Sequence, residues 1–375
     1  MLSSTIRLVG GTAALATGGW LLRALHGAPS ALGAGVEAIA KVADGSPNYR
    51  GGVFHNLEPA SMISLSRQDQ WRLLHDLFDD ATKGPKQPIP VITPKTGVPA
   101  ADLALTWYGH SSVVVEVDGY RILADPVWSQ RCSPSRSVGP QRLHPVPAPL
   151  EALPAIDAVI ISHDHYDHLD VDTVKRLVET QNSVFYVPLG IGAHLRGWGV
   201  PDQRIVELDW GQSGELGELR IVCTPARHFS GRFLTRNTTL WSSWAIIGPR
   251  HRAFFGGDTG YTASFAEVGD EYGPFDLTLM PVGAYHPGWP DIHMNPEEAV
   301  RAHRDVTDAG RGLFVPIHWA TFRLAPHPWS EPIERMLTAA TESAVAAAVP
   351  RPGQRVEVGT ATSPPSIDDD AWWRL

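Results

Sequence analysis

Residues 160–170 read IISHDHYDHLD, three histidines and three aspartates directly behind an apolar run. Imidazoles and carboxylates at that density hold metal ions or move protons. In an extended segment residues i and i+2 project to the same side, so His163 and His165 can reach one ion. Asp167 and His168 follow at the turn into the next helix, leave in a different direction, and can serve a second ion nearby. The stretch supplies two half-sites that need completion. LRIVCTPARH delivers His228, RAFFGGD delivers Asp258 and GLFVPIH delivers His318, each at or just past the end of a β-like run. Ligands at the strand ends of a layered α/β domain can converge on one edge, where such folds put their sites.

The elements that must position these residues are short. From Leu103 onward the chain alternates β-like runs, LALTWY, SVVVEVDGYRILADP, DAVIIS, SVFYVP, LRIVCTP, WAIIG, RAFFGG, DLTLMPVG and LFVPIH, with helical segments over 170–180 and 297–308. Asp118-Gly119 marks a hairpin turn. Mixed strands and helices without a fixed-period repeat indicate an α/β layered domain. Before it, residues 45–56 (GSPNYRGGVFHN) read as irregular linker. Residues 64–82 read as an amphipathic helix with a Ser66/Asp69 capping box, followed by a proline-rich connection. The Ala-rich stretch 338–349 reads as a terminal surface helix and the last residues, ending DDDAWWRL, as a tail.

Composition narrows the chemistry. A 375-residue chain that is 43% hydrophobic can bury a large core. A formal charge of −9 argues against a partner bound through its phosphate backbone, so nucleic acid is not expected. Cys132 and Cys223, the two cysteines, lie far apart, so any metal must take N and O ligands. Residues 8–22 are uncharged between Arg7 and Arg23, short for a span of ~20 residues and interrupted by four glycines. Three readings stand: a membrane anchor, a secretory apolar region, or a merely buried start. The chain is accordingly expected at a membrane or exported, with the cytoplasmic face open.

The motif HDHYDH matches in full the HxHxDH signature of the metallo-β-lactamase superfold, which this chain resembles. WYGHSS, ILADPVWS, FFGGDTGY, GPFDLTLMPVGAY, HMNPEEAV and PIHWATF are together similar to the branch containing N-acylphosphatidylethanolamine-hydrolysing phospholipase D and its bacterial relatives. The resemblance covers roughly residues 45–335. It implies a four-layer αββα sandwich with a dinuclear site at one edge. The chain as a whole is read as a leader and linker over 1–44, a hydrolase domain over 45–360 and a C-terminal tail over 361–375. Carried onto this sequence, the pattern gives one ion to His163, His165 and His228 and the second to Asp167, His168 and His318, with Asp258 bridging. Two Zn2+ suit this set, with Fe or Mn possible. Metal-bridging hydroxide would then attack a phosphodiester of an N-acylated phospholipid at a membrane surface. The same chemistry would serve a lactone, lactam or thioester. A reading of another class is a metal-stabilised, membrane-associated binding protein without turnover.

Around this set the assignments branch. His293 in DIHMNPEE matches a family histidine and is assigned with Asp167 and Asp258 to catalysis, through oxyanion contact or leaving-group protonation. The alternative is a helix-entry histidine with a local hydrogen bond. Asp125 in LADP either fixes the tautomer of a ligand imidazole or is a turn aspartate before proline. His110 is read as a core histidine in preference to a site residue. Asp164 is expected to point away as a solvated or helix-capping carboxylate, and His194 and His303 are read as ordinary. Trp128, Trp289, Trp319, Trp329, Tyr285 and Phe322 either line an acyl groove or pack as core and loop residues.

Overall fold

The computed structural model describes residues 27–60, 71, 84–232, 235–359 and 371–375. The first 26 residues, and with them the apolar leader, lie outside this set, as does almost all of the expected helix 64–82 with its capping box. No helix among the described residues is long and apolar enough to cross a membrane.

Two seven-stranded sheets face each other. In spatial order the first holds strands 355–357, 103–109, 112–117, 120–124, 158–160, 184–188 and 205–208. The second holds 346–347, 313–317, 277–281, 252–255, 243–247, 219–224 and 213–216. Each sheet is antiparallel toward one side and parallel toward the other. The parallel halves need crossovers, and helices supply all of them except the link from 120–124 to 158–160, a long loop with one 3-10 turn. Helices Val171–Thr180 and Ile191–Gly197 cover the outer face of the first sheet, and Ser264–Tyr272, Pro296–Val306 and Glu331–Glu342 serve the second. The result is the expected αββα order.

Period-two patterning explains why the first-sheet strands are apolar on both faces. Leu105, Trp107, Val113 and Val115 enter the core between the sheets, while Tyr108, Val114 and Leu123 join the layer under helix Val171–Thr180. The 118–119 hairpin forms as expected, with Asp118 and Gly119 both at positive φ and Val117 opposite Tyr120.

Three local expectations need correction. Residues 45–56 are not irregular: Tyr49–Arg50 pairs with Val53–Phe54 across Gly51-Gly52, both left-handed, and Phe54 is buried. The Ala-rich helix is shifted, running Glu331–Glu342 from Pro332 in its first turn. Ala346–Ala347 then becomes a strand that pairs with Leu313–Phe314. An open sheet edge offers backbone hydrogen bonds that outweigh alanine's helix preference. The chain end is also docked, with Trp372 and Trp373 buried. The Trp372 ring lies 5.1 Å from Trp319, and the Trp373 indole N–H donates to Glu334.

Candidate metal centre

The site grows from strand ends. After strand 158–160 the chain stays extended through Ser162 and delivers His163 and His165 to one side, with Nε2 of His163 2.8 Å from Nδ1 of His165. His228 arrives after strand 219–224, its Nε2 3.4 Å from the same His165 atom. The turn then sends Asp167 and His168 the other way. His318, just past strand 313–317, brings Nε2 within 3.3 Å of Asp167 and 3.1 Å of Asp258. Asp258 lies between the two sets, its Oδ2 3.2 Å from His168, 3.8 Å from His228 and 3.9 Å from His163. Donor atoms of His163, His165 and His228 form one group within metal-holding distance, and those of Asp167, His168 and His318, with His110, form another.

Close approach of the sheets makes this geometry. Gly257 is at φ +59, and a Cβ there would sit 2.6 Å from the Ser162 side chain. Glycine before Asp258 is therefore needed for the sheets to meet at this edge. The Trp244 indole N–H donates to the Ile161 carbonyl, and the Ser242 N–H to the Ser162 carbonyl, pinning strand to strand beside the ligands. His110, Asp125 and His318 all adopt positive φ, a conformation that non-glycine residues keep only where the surroundings impose it.

Outer partners aim the rings. Asp125 is fully buried and accepts from the N–H and hydroxyl of Ser162 and from Nδ1–H of His168 at 2.6 Å. That fixes the His168 tautomer with a lone pair on Nε2. His228 donates a hydrogen bond from Nδ1–H to the Ile292 carbonyl at 2.8 Å. Asn56 brackets the same residue, accepting from its backbone N–H and donating to its carbonyl. The amide sits in a region that reads as linker, where only its proximity to the Phe54 turn could have drawn attention to it.

These residues fit cations. Nε2 of His168 is buried with no hydrogen-bond partner, as is Oδ1 of Asp258. Two carboxylates within 3.2–3.3 Å of one ring nitrogen in a dry site call for positive charge among them, from a cation or from protons on the rings. Electrostatics show the same need for positive charge, which ring protons supply until an ion displaces them. Burial pushes the Asp258 and Asp167 carboxyls up, but the surrounding imidazoles outweigh it and hold both well below the usual range. Burial pulls His168 and His318 down, yet the adjoining carboxylates raise His168 well above its ordinary value and His318 to about 9. His163 and His228, with fewer carboxylates near them, are held well below by burial and neighbouring imidazoles.

All seven candidate ligands named from the sequence lie at this edge. His293 is close to it, Nδ1 3.9 Å from Asp258 and its ring 5.1 Å from His228. It also lines a cavity of about 380 Å³ with Tyr285, Pro290, His327 and Arg335. Two readings change. His110 is a site residue: its Nε2 donates to Asp167 at 2.9 Å, and its ring lies 4.1 Å from His318. Position gave the signal, because His110 ends a strand as the other candidates do. Asp164 does point away but is neither solvated nor a helix cap. It is buried, accepts from the Gly231 N–H at 2.6 Å and pairs with His194 at 3.5 Å. Burial raises that carboxyl, and His194, His165 and Arg232 overcome the effect and hold it well below normal. Trp319 and Trp329 are packing residues: Trp319 stacks on Trp107, and Trp329 lies tilted against Trp319 and edge-on to Trp372.

Comparisons with known proteins agree with this geometry. Residues 120–319 match the family model of the β-lactamase superfamily domain. An uncharacterised protein of Mycobacterium tuberculosis is 61% identical over the whole of both chains. An N-acyl-phosphatidylethanolamine-hydrolyzing phospholipase D of Caenorhabditis elegans is 40% identical over 59% of this chain and 64% of its own length. A metallo hydrolase of the archaeon Ignicoccus hospitalis shares the fold at TM-score 0.54 and 24% identity, over 69% of this chain and 99% of that one. Strand-end histidines gathered around shared carboxylates, on two facing sheets with this family match, make the chain a member of the metallo-β-lactamase superfamily and a metal-dependent hydrolase.

Proposed function

We propose that the chain is a dinuclear phosphodiesterase of phospholipase D type, splitting N-acylphosphatidylethanolamine-like lipids on the headgroup side. The observation that carries it is the pair of half-sites sharing Asp258, with His293 facing both them and a cavity large enough for part of a lipid. The C. elegans relative supports the substrate class. One ion is assigned to His163, His165 and His228 and the other to Asp167, His168 and His318, with Asp258 serving both. Zinc is the first choice for an all-N/O set, with iron or manganese as alternatives.

Such ions, when bound, bring the pKa of water toward ~7 and offset charge developing on the attacked phosphorus. The chain's own groups do the rest. Asp125 and the Ile292 carbonyl hold the ligand rings in one tautomer and orientation. His293 can offer an imidazole N–H to an oxygen of the phosphodiester or to the departing alkoxide. Water's oxygen joins phosphorus as the P–O bond to the N-acylethanolamine breaks, leaving phosphatidate. Residues 1–26 are proposed to bring the domain to a membrane surface. Deleting them should release the protein into the soluble fraction, and an unchanged distribution removes that part.

The decisive assay uses protein with measured metal content and lipid labelled in the N-acyl chain. Release of labelled N-acylethanolamine, abolished by chelator, is expected. No product from protein holding two equivalents of metal refutes the phosphodiesterase reading. Turnover of lactones or thioesters alone would move the substrate to a carboxylic class.

A further inference from the structure

Behind the turn that carries His163, His165, Asp167 and His168 sits a buried guanidinium that the proposed chemistry does not use. Arg232 is 6% exposed and has no carboxylate in hydrogen-bond contact among the described residues. Nε and one Nη donate to backbone carbonyls, and the other Nη is buried without a partner among the described residues. One Nη donates to the carbonyls of Asp164 and Leu169, at 2.5 and 2.8 Å. These two carbonyls bracket the ligand turn, one from just after His163 and the other from just after His168. The guanidinium plane lies over the Tyr166 ring at 4.2 Å and near that of Trp198 at 5.1 Å. Tyr166, itself in the turn, returns a hydrogen bond from its hydroxyl to the Arg232 carbonyl.

The same side chain reaches the N-terminal segment. Nε of Arg232 donates to the Ala31 carbonyl at 2.8 Å. A second link runs beside it: the Ala34 N–H donates to Nδ1 of His194, whose Nε2 faces the buried Asp164 of the turn. Gly33, between these contacts, is at φ +79, and a Cβ there would overlap the His194 ring at 2.2 Å. Segment 27–35 is thus fitted against the back of the ligand turn at two polar points. A guanidinium is suited to this place because its planar donors can serve three carbonyls while its face stacks on aromatic rings.

We propose that Arg232 is a positioning residue for the metal centre, holding the 163–168 turn in its ligating shape and joining it to the N-terminal segment. The inference rests on the metal reading above and concerns metal binding, not a step of the reaction. Loosening the carbonyls at both ends of the turn lets His165 and Asp167 swing while every ligand remains in the chain. Groups that orient metal ligands without touching the ion typically change affinity by roughly 10–100-fold when removed.

The test is cobalt binding to the full chain, followed by competition with a chromophoric chelator and by visible absorption, in wild type, Arg232→Met and Arg232→Lys. Wild type should take two Co2+ with a defined d–d spectrum, and failure of wild type to bind sinks the metal reading itself. Given wild-type binding, Arg232→Met should lose roughly 10–100-fold in affinity for at least one ion, with an altered spectrum. Arg232→Lys, which keeps the charge but not the planar fork, should fall between. A folded Arg232→Met that melts lower yet binds two Co2+ with wild-type affinity and spectrum makes Arg232 merely structural and overturns the proposal. Should Arg232→Met fail to fold, Arg232→Lys decides, and wild-type affinity and spectrum there overturn it equally.

Discussion

The two half-sites are built from the same residue types but are held differently. In one, His228 is aimed by a backbone carbonyl and by Asn56, so its surroundings bring no charge beyond the shared Asp258. In the other, His168 is aimed by the Asp125 carboxylate, and Asp167 contributes a second carboxylate that His110 holds in place. A carboxylate behind an imidazole raises its basicity, whereas a carbonyl mainly orients it. Two ions placed here would experience unequal fields. The side containing Asp125 and Asp167 should grip its ion harder, leaving the His163, His165 and His228 side more exchangeable.

The sharpest way to break this comparison is to remove what the halves share. Asp258→Asn should lower turnover by at least ~10²–10³-fold, since it weakens both halves while the fold stays intact. Full activity in the variant would show that the halves work independently. Next comes Asp125→Asn, expected to reduce metal affinity by roughly 10–100-fold, against only a few-fold for Asn56→Ala. Equal losses in calorimetric titrations would erase the asymmetry. Stepwise dialysis against chelator, followed by elemental analysis, should then pass through a plateau near one equivalent. Simultaneous loss of both ions would place the halves on equal footing.

A separate reference comes from a buried histidine outside the centre, which calibrates what burial alone does. His303 is held by Thr278 and the Gly310 carbonyl, and burial lowers its pKa to about 4. Its folded value lies below the ordinary ~6.5, so the unfolded chain binds the extra proton first as pH falls. The stability contribution is complete above about 6.5 and lost on acidification toward pH 4, worth up to ~3 kcal/mol at ~1.4 per unit. The urea-unfolding difference between wild type and His303→Gln should shrink over that window, and a pH-independent difference would contradict it.

Residue by residue, what could be read early was whatever lay close along the chain. His163, His165, Asp167 and His168 are legible because two-residue spacing and a turn decide their directions before any tertiary contact forms. His228, Asp258 and His318 are legible by placement behind apolar runs, and the same rule would have recovered His110. Asp164 was not, since its partners His194 and Gly231 come from other elements. The Ala346–Ala347 strand and the docked tryptophans near the C-terminus depend on sheet edges and cavities that exist only after packing. Asn56 and Arg232 were equally hidden, because each acts on backbone groups far away in sequence.

The placement of Trp372 against Trp319 bears on how the protein can be handled. Trp319 directly follows His318, so Trp372 forms part of the packing next to one candidate ligand. An affinity handle or fluorescent fusion joined at Leu375 would pull on that packing. Clipping the final residues should leave an indole-sized void there, read out as weaker retention of the ion on the His318 side.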